Sequence, residues 1–453
     1  MKPINVGLLG IGTVGGATFE VLARNQEEIT RRAGRGIAIK MVADKDLDRA
    51  RKLVREGAII TADANEVVGN PDIDIVIELI GGTRIARDLV MAAIKSGKHV
   101  VTANKALLAN YGNEIFAAAR KHGVMVAFEA AVAGGIPIIK VLREGLIGNR
   151  ITRLYGIVNG TCNYILTRMK DEGADFAAVL ADAQRLGYAE TPPDLDIDCH
   201  DAAHKTGILA SLAHGFWVNP KQIYTEGIRS LTKQDIEFAR KLGYTIRLLG
   251  CVKANGASRG EGRGARAAKG RAGKLSPCAI QVSVYPALVP NSHVLANVNG
   301  VFNAVLVRGD VVGDTLYYGR GAGQDATASA VLSDLADAAL DLKCGTKNRI
   351  PPFVPHERDG AVLPMEEVVS RYYVRLTVED RPGVFAKIAG ILAKANIGIS
   401  SIIQPEGHDG VTVPVILMIH DAPNAAMRRA LAHIAQLGVV KGEPVMIRVE
   451  SFE

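Results

Sequence analysis

Short apolar runs alternate with amphipathic stretches along the first third of the chain. INVGLLG (4–10) ends in glycine, and GTVGGATFEVLARNQEEITRRA (12–33) then repeats apolar residues at helical spacing. IAIKMVAD (37–44), IDIVIELIGG (73–82), KHVVTAN (98–104) and GVMVAFEAA (123–131) are further strand-like runs, with a helical stretch ARDLVMAAIKSG (86–97) among them. Strands that are apolar along their length and alternate with helices belong to a parallel sheet covered on both faces. The fold class is therefore α/β, with a doubly wound parallel sheet at the N-terminus. From about residue 150 the order changes. ITRLYGIVNGTCNYILTRM, helices near 175–187 and 201–213, strand-like runs TIRLLGCVK (245–253), AIQVSVYPALV (279–289) and FNAVLVRGDVV (302–312), and a helix over 325–342 predict an α+β second unit. GTKNRIPPFVPHERDG (345–360) reads as a proline-bearing polar linker. The tail orders as strand (372–378), helix (385–396), strand (ISSIIQP), strand (TVPVILMI), helix (424–437) and strand (PVMIRVE), the βαββαβ plan of a ferredoxin-like unit.

Composition adds little except where charge is concentrated. The 453 residues are 48% hydrophobic and 22% charged, as in ordinary globular chains. No apolar run has membrane-spanning length, and MKPINVGLLGIG enters a strand without a cleavable leader pattern, so a soluble cytoplasmic protein with no membrane partner is expected. Five scattered cysteines, without a CxxC pair, suit reduced thiols. The net charge of +7 sits almost wholly in KANGASRGEGRGARAAKGRAGK (253–274), which holds seven Lys/Arg and one Glu. That stretch lacks aromatics and apolar periodicity, so residues 254–275 are expected to form a mobile basic insertion. Without a stacking platform near it, a nucleic-acid partner is not expected.

One helix breaks the usual pattern. In DCHDAAHKTGILASLAHG (198–215), Asp201, Lys205, Ile208, Leu209 and Leu212 share a stripe roughly 100° wide, so two opposite charges lie on the face expected to be buried. Buried charge is costly unless paired or used. Just upstream, GYAETPPDLDIDCHDAAHK (187–205) gathers Glu190, Asp194, Asp196, Asp198 and Asp201 ahead of Lys205, a set suited to a small substrate bearing an ammonium group. Cys199, His200 and His204 offer a rival transition-metal reading, but no further Cys/His cluster completes it.

Other motifs point to a dinucleotide. GLLGIGTVGGA places Gly10, Gly12 and Gly15 after the first strand and ahead of a helix, the setting in which G-x-G-x-x-G binds a pyrophosphate; Thr13 and Val14 lie inside the motif. Asp44, ending the second strand, suits a ribose 2′-OH, whereas Lys45 suits a 2′-phosphate, so NADP and NAD both remain open with a slight preference for NADP. VVTANKALLA (100–109) puts Asn104 and Lys105 beyond a strand's carboxyl end, where ligands bind such sheets. Glu129, in FEAAVAGGIPII, is a lone carboxylate among apolar residues: a satisfied core acid, or part of a cation site with nearby carbonyls. Cys162, in NGTCNYIL, reads as a small semi-buried residue rather than a thioester-forming nucleophile. YYGRGAGQDATASAVLSDL (317–335) opens a helix with glycines, as a second backbone cradle or a tight loop.

In their joint order, GLLGIGTVG, ELIGGT, TANKALLA, EAAVAGGIP, NGTCNYIL, GYAE, DAAHK and GRGAG resemble homoserine dehydrogenases of the bacterial type with a C-terminal ACT domain, over nearly the whole chain. The resemblance implies a Rossmann-type NAD(P)-binding domain (1–148), a substrate-binding and dimerisation domain (149–343) whose segment 320–343 packs back on the first, a linker (344–368) and an ACT regulatory domain (369–453). It implies reversible NAD(P)-linked interconversion of L-homoserine and L-aspartate 4-semialdehyde, in the route to threonine, methionine and isoleucine. Lys205 would be the acid/base, with Asp201 beside it. Glu190, Asp196 and Asp201 would hold homoserine, and Lys105 would lie near cofactor and substrate. Gly81, Thr83, Asn104, Gly187 and Gly323 would join the glycine loop at the cofactor. Glu129, with the carbonyls of Val132, Gly134 and Ile136, would hold a monovalent cation such as Na+. The ACT tail implies feedback by an amino acid, L-threonine, at the turn EDRPGVFAKIAG, in a homodimer or homotetramer; truncation near 360 is expected to keep activity and remove inhibition. Two alternatives stay open: a semialdehyde dehydrogenase using Cys162, and an amino-acid sensor that keeps the dinucleotide fold without turnover.

Overall fold

The computed structural model describes residues 2–54, 57–254, 278–346, 349–356, 360–405 and 412–452; most of the basic stretch 254–275 lies outside them. Six strands, β1 (Ile4–Leu9), β2 (Ile37–Ala43), β3 (Ile59–Thr61), β4 (Ile75–Glu78), β5 (His99–Thr102) and β6 (Val126–Ala127), form one sheet in the order β3-β2-β1-β4-β5-β6. Every pairing is parallel. The order reverses between β1 and β4, which opens the crevice where such sheets bind ligands. The periodicity misses β3, because three residues, exposed or half-buried, are too few to show a strand pattern. It also merges two helices: the stretch 12–33 breaks at Asn25 into Thr13–Arg24 and Gln26–Ala33. Helix Gln324–Cys344 returns from the far end of the second unit. Its Ala330, Val331, Leu335, Ala338 and Ala339 join the core formed by β1, β2 and helix Thr13–Arg24.

The remaining strands are β7 (Ile151–Ile157), β8 (Tyr224–Thr225), β9 (Tyr244–Ala254), β10 (Cys278–Pro290), β11 (Phe302–Gly309), β12 (Gly313–Arg320), β13 (Gly360–Val362), β14 (Val369–Glu379), β15 (Ile399–Ile403), β16 (Thr412–Pro423) and β17 (Val440–Val449). They build a single sheet in the order β12-β11-β7-β9-β10-β17-β14-β16-β15. One edge of β10 pairs antiparallel with β9. Its other edge is shared by three short parallel footings: β13 on residues 278–280, β8 on 283–284 and β17 on 287–288.

The tail has the expected βαββαβ order, yet it is joined to the second unit along this edge. Alternation along β14 shows how. Tyr372, Val374, Leu376 and Val378 face the two helices of the tail, while Tyr373 enters the core of the second unit and Arg375 bonds its buried Asp235 at 2.7 and 3.0 Å. After β17, Glu450 accepts from Lys253 at 2.8 and 3.0 Å. Phe452 stacks on His293 and packs on Tyr155, with centroids 3.7 and 4.7 Å apart. The proline-bearing linker is held too: Phe353 is buried against Phe116 and Trp217, and His356 donates its N–H to Gly215 at 2.7 Å.

Candidate active site

The glycine loop leaves β1 and enters helix Thr13–Arg24. Gly10 has φ +91°, a left-handed conformation that suits glycine, and a Cβ on Gly15 would lie 2.1 Å from the Gly10 carbonyl oxygen. The space beside Gly12 is open, and no side chain caps this helix, so its first N–H groups are free for a phosphate. Asp44 closes the far side of the loop, accepting from the Ile11 N–H at 2.6 Å, the Asp46 N–H at 2.9 Å and the Arg49 guanidinium at 3.0 and 3.2 Å. Burial opposes its ionisation, but those donors outweigh it and hold the carboxyl below the usual range. Lys45 is exposed beside it. Arg49, a basic residue on the next helix, pairs with Asp44 at this loop, a contact that no local sequence signal marks.

Gly81 follows β4, and Thr83 precedes helix Arg84–Lys95. Glu78, at the end of β4, is fully buried and also escaped notice. Its carboxylate accepts from the Thr102 hydroxyl at 2.6 Å and from the Ile80 N–H at 3.1 Å, and burial raises its pKa. Asn104 caps helix Lys105–His122 through Leu107 N–H at 3.0 Å, while its amide donates to the Gly82 carbonyl at 2.6 Å. The cap leaves Lys105 as the first helical residue, at the carboxyl edge of the parallel sheet.

Lys105 is where the two units meet chemically. Its Nζ lies 3.1 Å from Asp201 Oδ1, and the Nζ of Lys205 lies 2.8 Å from Asp201 Oδ2. One carboxylate therefore bridges two ammonium groups. Lys205 is 9% exposed and donates also to the Val158 carbonyl at 2.8 Å. A lysine ammonium has three donors, so one remains for a ligand. Burial alone would raise the Asp201 carboxyl, but Lys205 and Lys105 overcome it and hold it at about 2. Helix His200–His214, which carries the pair, is buried on more than the single stripe its periodicity suggests. Ala202, Ala203, Thr206 and Ala210 are buried as well, because the helix runs between β9, β10 and helix Lys105–His122.

Asn159 organises the acids. Its Oδ1 caps helix Gly160–Glu172 by accepting from Cys162 N–H at 2.8 Å, and its Nδ2 donates to Asp196 at 2.8 Å and to Asp201 at 3.1 Å. An asparagine before Gly-Thr-Cys is a recognisable N-cap signal, but nothing local shows that its amide bridges two carboxylates. Asp196 is half-buried, and burial raises its pKa. The other acids diverge. Asp194 and Asp198 pair with Arg229, and Glu190 is exposed with no side-chain hydrogen bond or ion pair among the described residues. Gly187 lies on the same exposed turn, and Gly323 caps helix Gln324–Cys344. Cys162 is fully buried and donates to the Asp196 carbonyl at 3.3 Å. Burial pushes its thiol well above the ordinary range, the opposite of what a nucleophilic thiolate needs.

Glu129 follows β6, its carboxylate accepting the N–H groups of Ile139 and Lys140 at 2.8 and 2.9 Å. Its own N–H donates to Asp334 at 2.7 Å. Burial raises Glu129 to about 7 and, with repulsion from Glu129 added, Asp334 to about 8.

Comparison with known proteins agrees with this architecture. Residues 10–129 match the NAD binding domain of homoserine dehydrogenase, 137–336 match homoserine dehydrogenase, and 372–436 match the ACT domain. A homoserine dehydrogenase of Pseudomonas aeruginosa is 49% identical, with 99% of each chain covered. The crystal structure of a homoserine dehydrogenase from Thiobacillus denitrificans superposes with a TM-score of 0.90 at 50% identity, covering 100% of this chain and 99% of that one. A hyperthermophilic archaeal homoserine dehydrogenase in complex with NADPH aligns at 27% identity and a TM-score of 0.60, over 75% of this chain and 98% of that one. With family models matching its first, central and C-terminal regions and a relative 49% identical over 99% of both chains, this chain belongs to the homoserine dehydrogenase family, in the form that carries a C-terminal ACT domain.

Proposed function

We propose that the protein interconverts L-homoserine and L-aspartate 4-semialdehyde, with Lys205 as acid/base. The observation that carries this reading is the bridge Lys105–Asp201–Lys205 beside Asp196, at the carboxyl edge of the parallel sheet. A nicotinamide dinucleotide, when bound, supplies the hydride acceptor or donor. In the reducing direction the Lys205 ammonium gives its proton to the aldehyde oxygen; in the oxidising direction the neutral amine takes the hydroxyl proton of homoserine. Asp201 stays ionised throughout and holds the Lys205 nitrogen against the Val158 carbonyl. Asp196 is the acid best suited to the substrate ammonium, because it is half-buried and, among the described residues, its charge is not balanced by a direct ion pair; Glu190 would need to swing inward to join it.

Gly10, Gly12, Thr13, Val14 and Gly15 would hold the pyrophosphate. Asp44 suits a ribose hydroxyl, while the exposed Lys45 and Arg49 suit a 2′-phosphate, and we take NADP as the preferred cofactor with NAD as the alternative. Glu129, whose carboxylate is buried and faces the buried Asp334, offers with the carbonyls of Val132, Gly134 and Ile136 hard oxygen donors for a monovalent cation, whose charge would favour the ionised form that burial disfavours. The turn Glu379–Phe385 lines a cavity of about 410 Å³ with Ile388, Gln404 and Val415, and we assign it to an amino-acid effector, L-threonine, acting in a homo-oligomer. The test is absorbance at 340 nm with L-homoserine and either NADP⁺ or NAD⁺. A homoserine-dependent rise, faster with NADP⁺ and slowed by threonine, is expected. A flat trace from folded protein that binds NADPH overturns the reading.

A further inference from the structure

The last strand of the chain reaches the acidic loop through a segment the chemistry above does not use. Arg448, on β17, is completely buried. Its guanidinium lies over the rings of Tyr285 and Tyr224, at 4.6 and 5.0 Å from their centroids, and donates to Asn424 Oδ1 at 2.9 Å. It also donates to Glu226 Oε2 at 2.8 Å, an oxygen that accepts from the Tyr224 hydroxyl at 3.0 Å as well. Glu226 belongs to the strap Tyr224–Arg229. The strap begins as β8, seated on β10 between the footings of β13 and β17, with Glu226 N–H donating to the Val284 carbonyl at 2.8 Å.

From Glu226 onward every residue of the strap meets the acidic loop. The Glu226 carbonyl accepts from Cys199 Sγ at 3.4 Å. Gly227 lies so close that a Cβ there would stand 2.5 Å from the Ile197 carbonyl oxygen. Ile228 N–H donates to that same carbonyl at 3.1 Å, and Arg229 donates to Asp198 at 2.6 and 3.0 Å and pairs with Asp194. Asp196 stands inside the stretch these contacts bracket. The Arg448–Glu226 hydrogen bond is charge-assisted and shielded on the arginine side, and bonds of that kind fix geometry; a misplacement of about 1 Å in a site costs up to about 10²-fold.

We propose that Arg448 is a positioning residue for the reaction: by fixing Glu226 it holds the strap against residues 194–199 and so sets where Asp196 receives the substrate ammonium. The proposal rests on the assignment of Asp196 given above. It makes the C-terminal unit part of the substrate site's framework, independent of any effector.

Full-length Arg448→Lys, Glu226→Gln and Gly227→Ala are compared with Asp196→Asn for KM of L-homoserine, KM of NADP⁺, kcat and thermal melting. Each strap variant is expected to raise the homoserine KM about tenfold, with kcat and the cofactor KM within about threefold of the parent, the split that misplacement of one binding group produces. An unchanged homoserine KM in folded Arg448→Lys and Gly227→Ala overturns the proposal, whatever happens to the melting temperature. A parallel change in kcat and both KM values also overturns it, since that marks general loosening. Gly227→Ala leaves the buried arginine intact, so the proposal remains refutable if Arg448→Lys does not fold. If Asp196→Asn alone leaves the homoserine KM unchanged, the role of Asp196 fails, while raised values in the strap variants still uphold the placement of the loop.

Discussion

Replacing Asp201 by asparagine keeps the shape of the side chain and removes the negative charge that Lys105 and Lys205 share, at 3.1 and 2.8 Å. The size of the effect follows from the site. The carboxyl is held at about 2 against an ordinary 3.8, even though burial pushes it upward. A net depression of a little under two pK units is about 2 kcal/mol in favour of the ionised form. That energy is available to hold the two ammonium groups in place. Losing it leaves the two ammonium groups side by side without the carboxylate that bridges them. A loss of about 2 kcal/mol corresponds to roughly 30-fold in rate, and ammonium repulsion adds to it, so kcat/KM for L-homoserine is expected to fall by roughly 30- to 100-fold. Initial rates at 340 nm in both directions give the number. NADPH binding by fluorescence and a melting curve show whether the crevice and the fold survive. A folded Asp201→Asn protein that keeps kcat/KM within about threefold would refute the claim that this carboxylate organises the lysines.

Lys205→Ala should lose turnover by about 10²-fold or more with the fold retained, the usual scale of a lost general acid–base group; substantial activity in the folded variant would remove Lys205 from the mechanism. Cys162→Ala should keep activity within a few-fold, since the thiol is buried and protonated; loss of a phosphate-dependent activity would instead favour the semialdehyde dehydrogenase alternative. Glu129 and Asp334 have folded values of about 7 and 8, above their ordinary 4.5 and 3.8. They contribute stability that is fully present below about pH 4 and is lost as pH rises through 7 to 8. The melting temperature should fall across that interval, and less so in Glu129→Gln; identical pH profiles for the two proteins would refute this. A chain ending before Gly360 should not yield soluble folded enzyme, because it strips β17 from β10, Glu450 from Lys253 and Arg375 from the buried Asp235. Recovery of an active, soluble truncate would show that the tail is separable after all.

That last expectation differs from what the sequence suggests, and the reason is physical. A βαββαβ order with its own alternating pattern reads as an independent unit, since alternation along one strand reports only that two faces differ. It does not report what covers the second face. Tyr373, Ile447 and Val449 are apolar on a face that a free-standing ferredoxin-like unit could leave to solvent or to a partner; here the second unit covers it. Arg448 carries no local signal at all, because a buried arginine in a strand is intelligible only once Glu226, Tyr224 and Asn424 are seen around it.

The features legible in the chain alone were local: the parallel α/β order, the glycine loop after β1, and the spacing that places Asp201 and Lys205 one helical turn apart. Each depends on chain geometry repeated over a few residues, which short-range sterics and hydrogen bonding set. Long-range packing settled the rest. It brought Lys105, from the first unit, to Asp201 in the second, set Asn159 between two acids, and turned Asp194 and Asp198 away to Arg229 while leaving Glu190 exposed. Those choices are made by long-range contacts between elements far apart in the chain. There, the cost of burying a charge is met only by a partner that packing brings within about 3 Å, and sequence spacing carries no record of which partner that is.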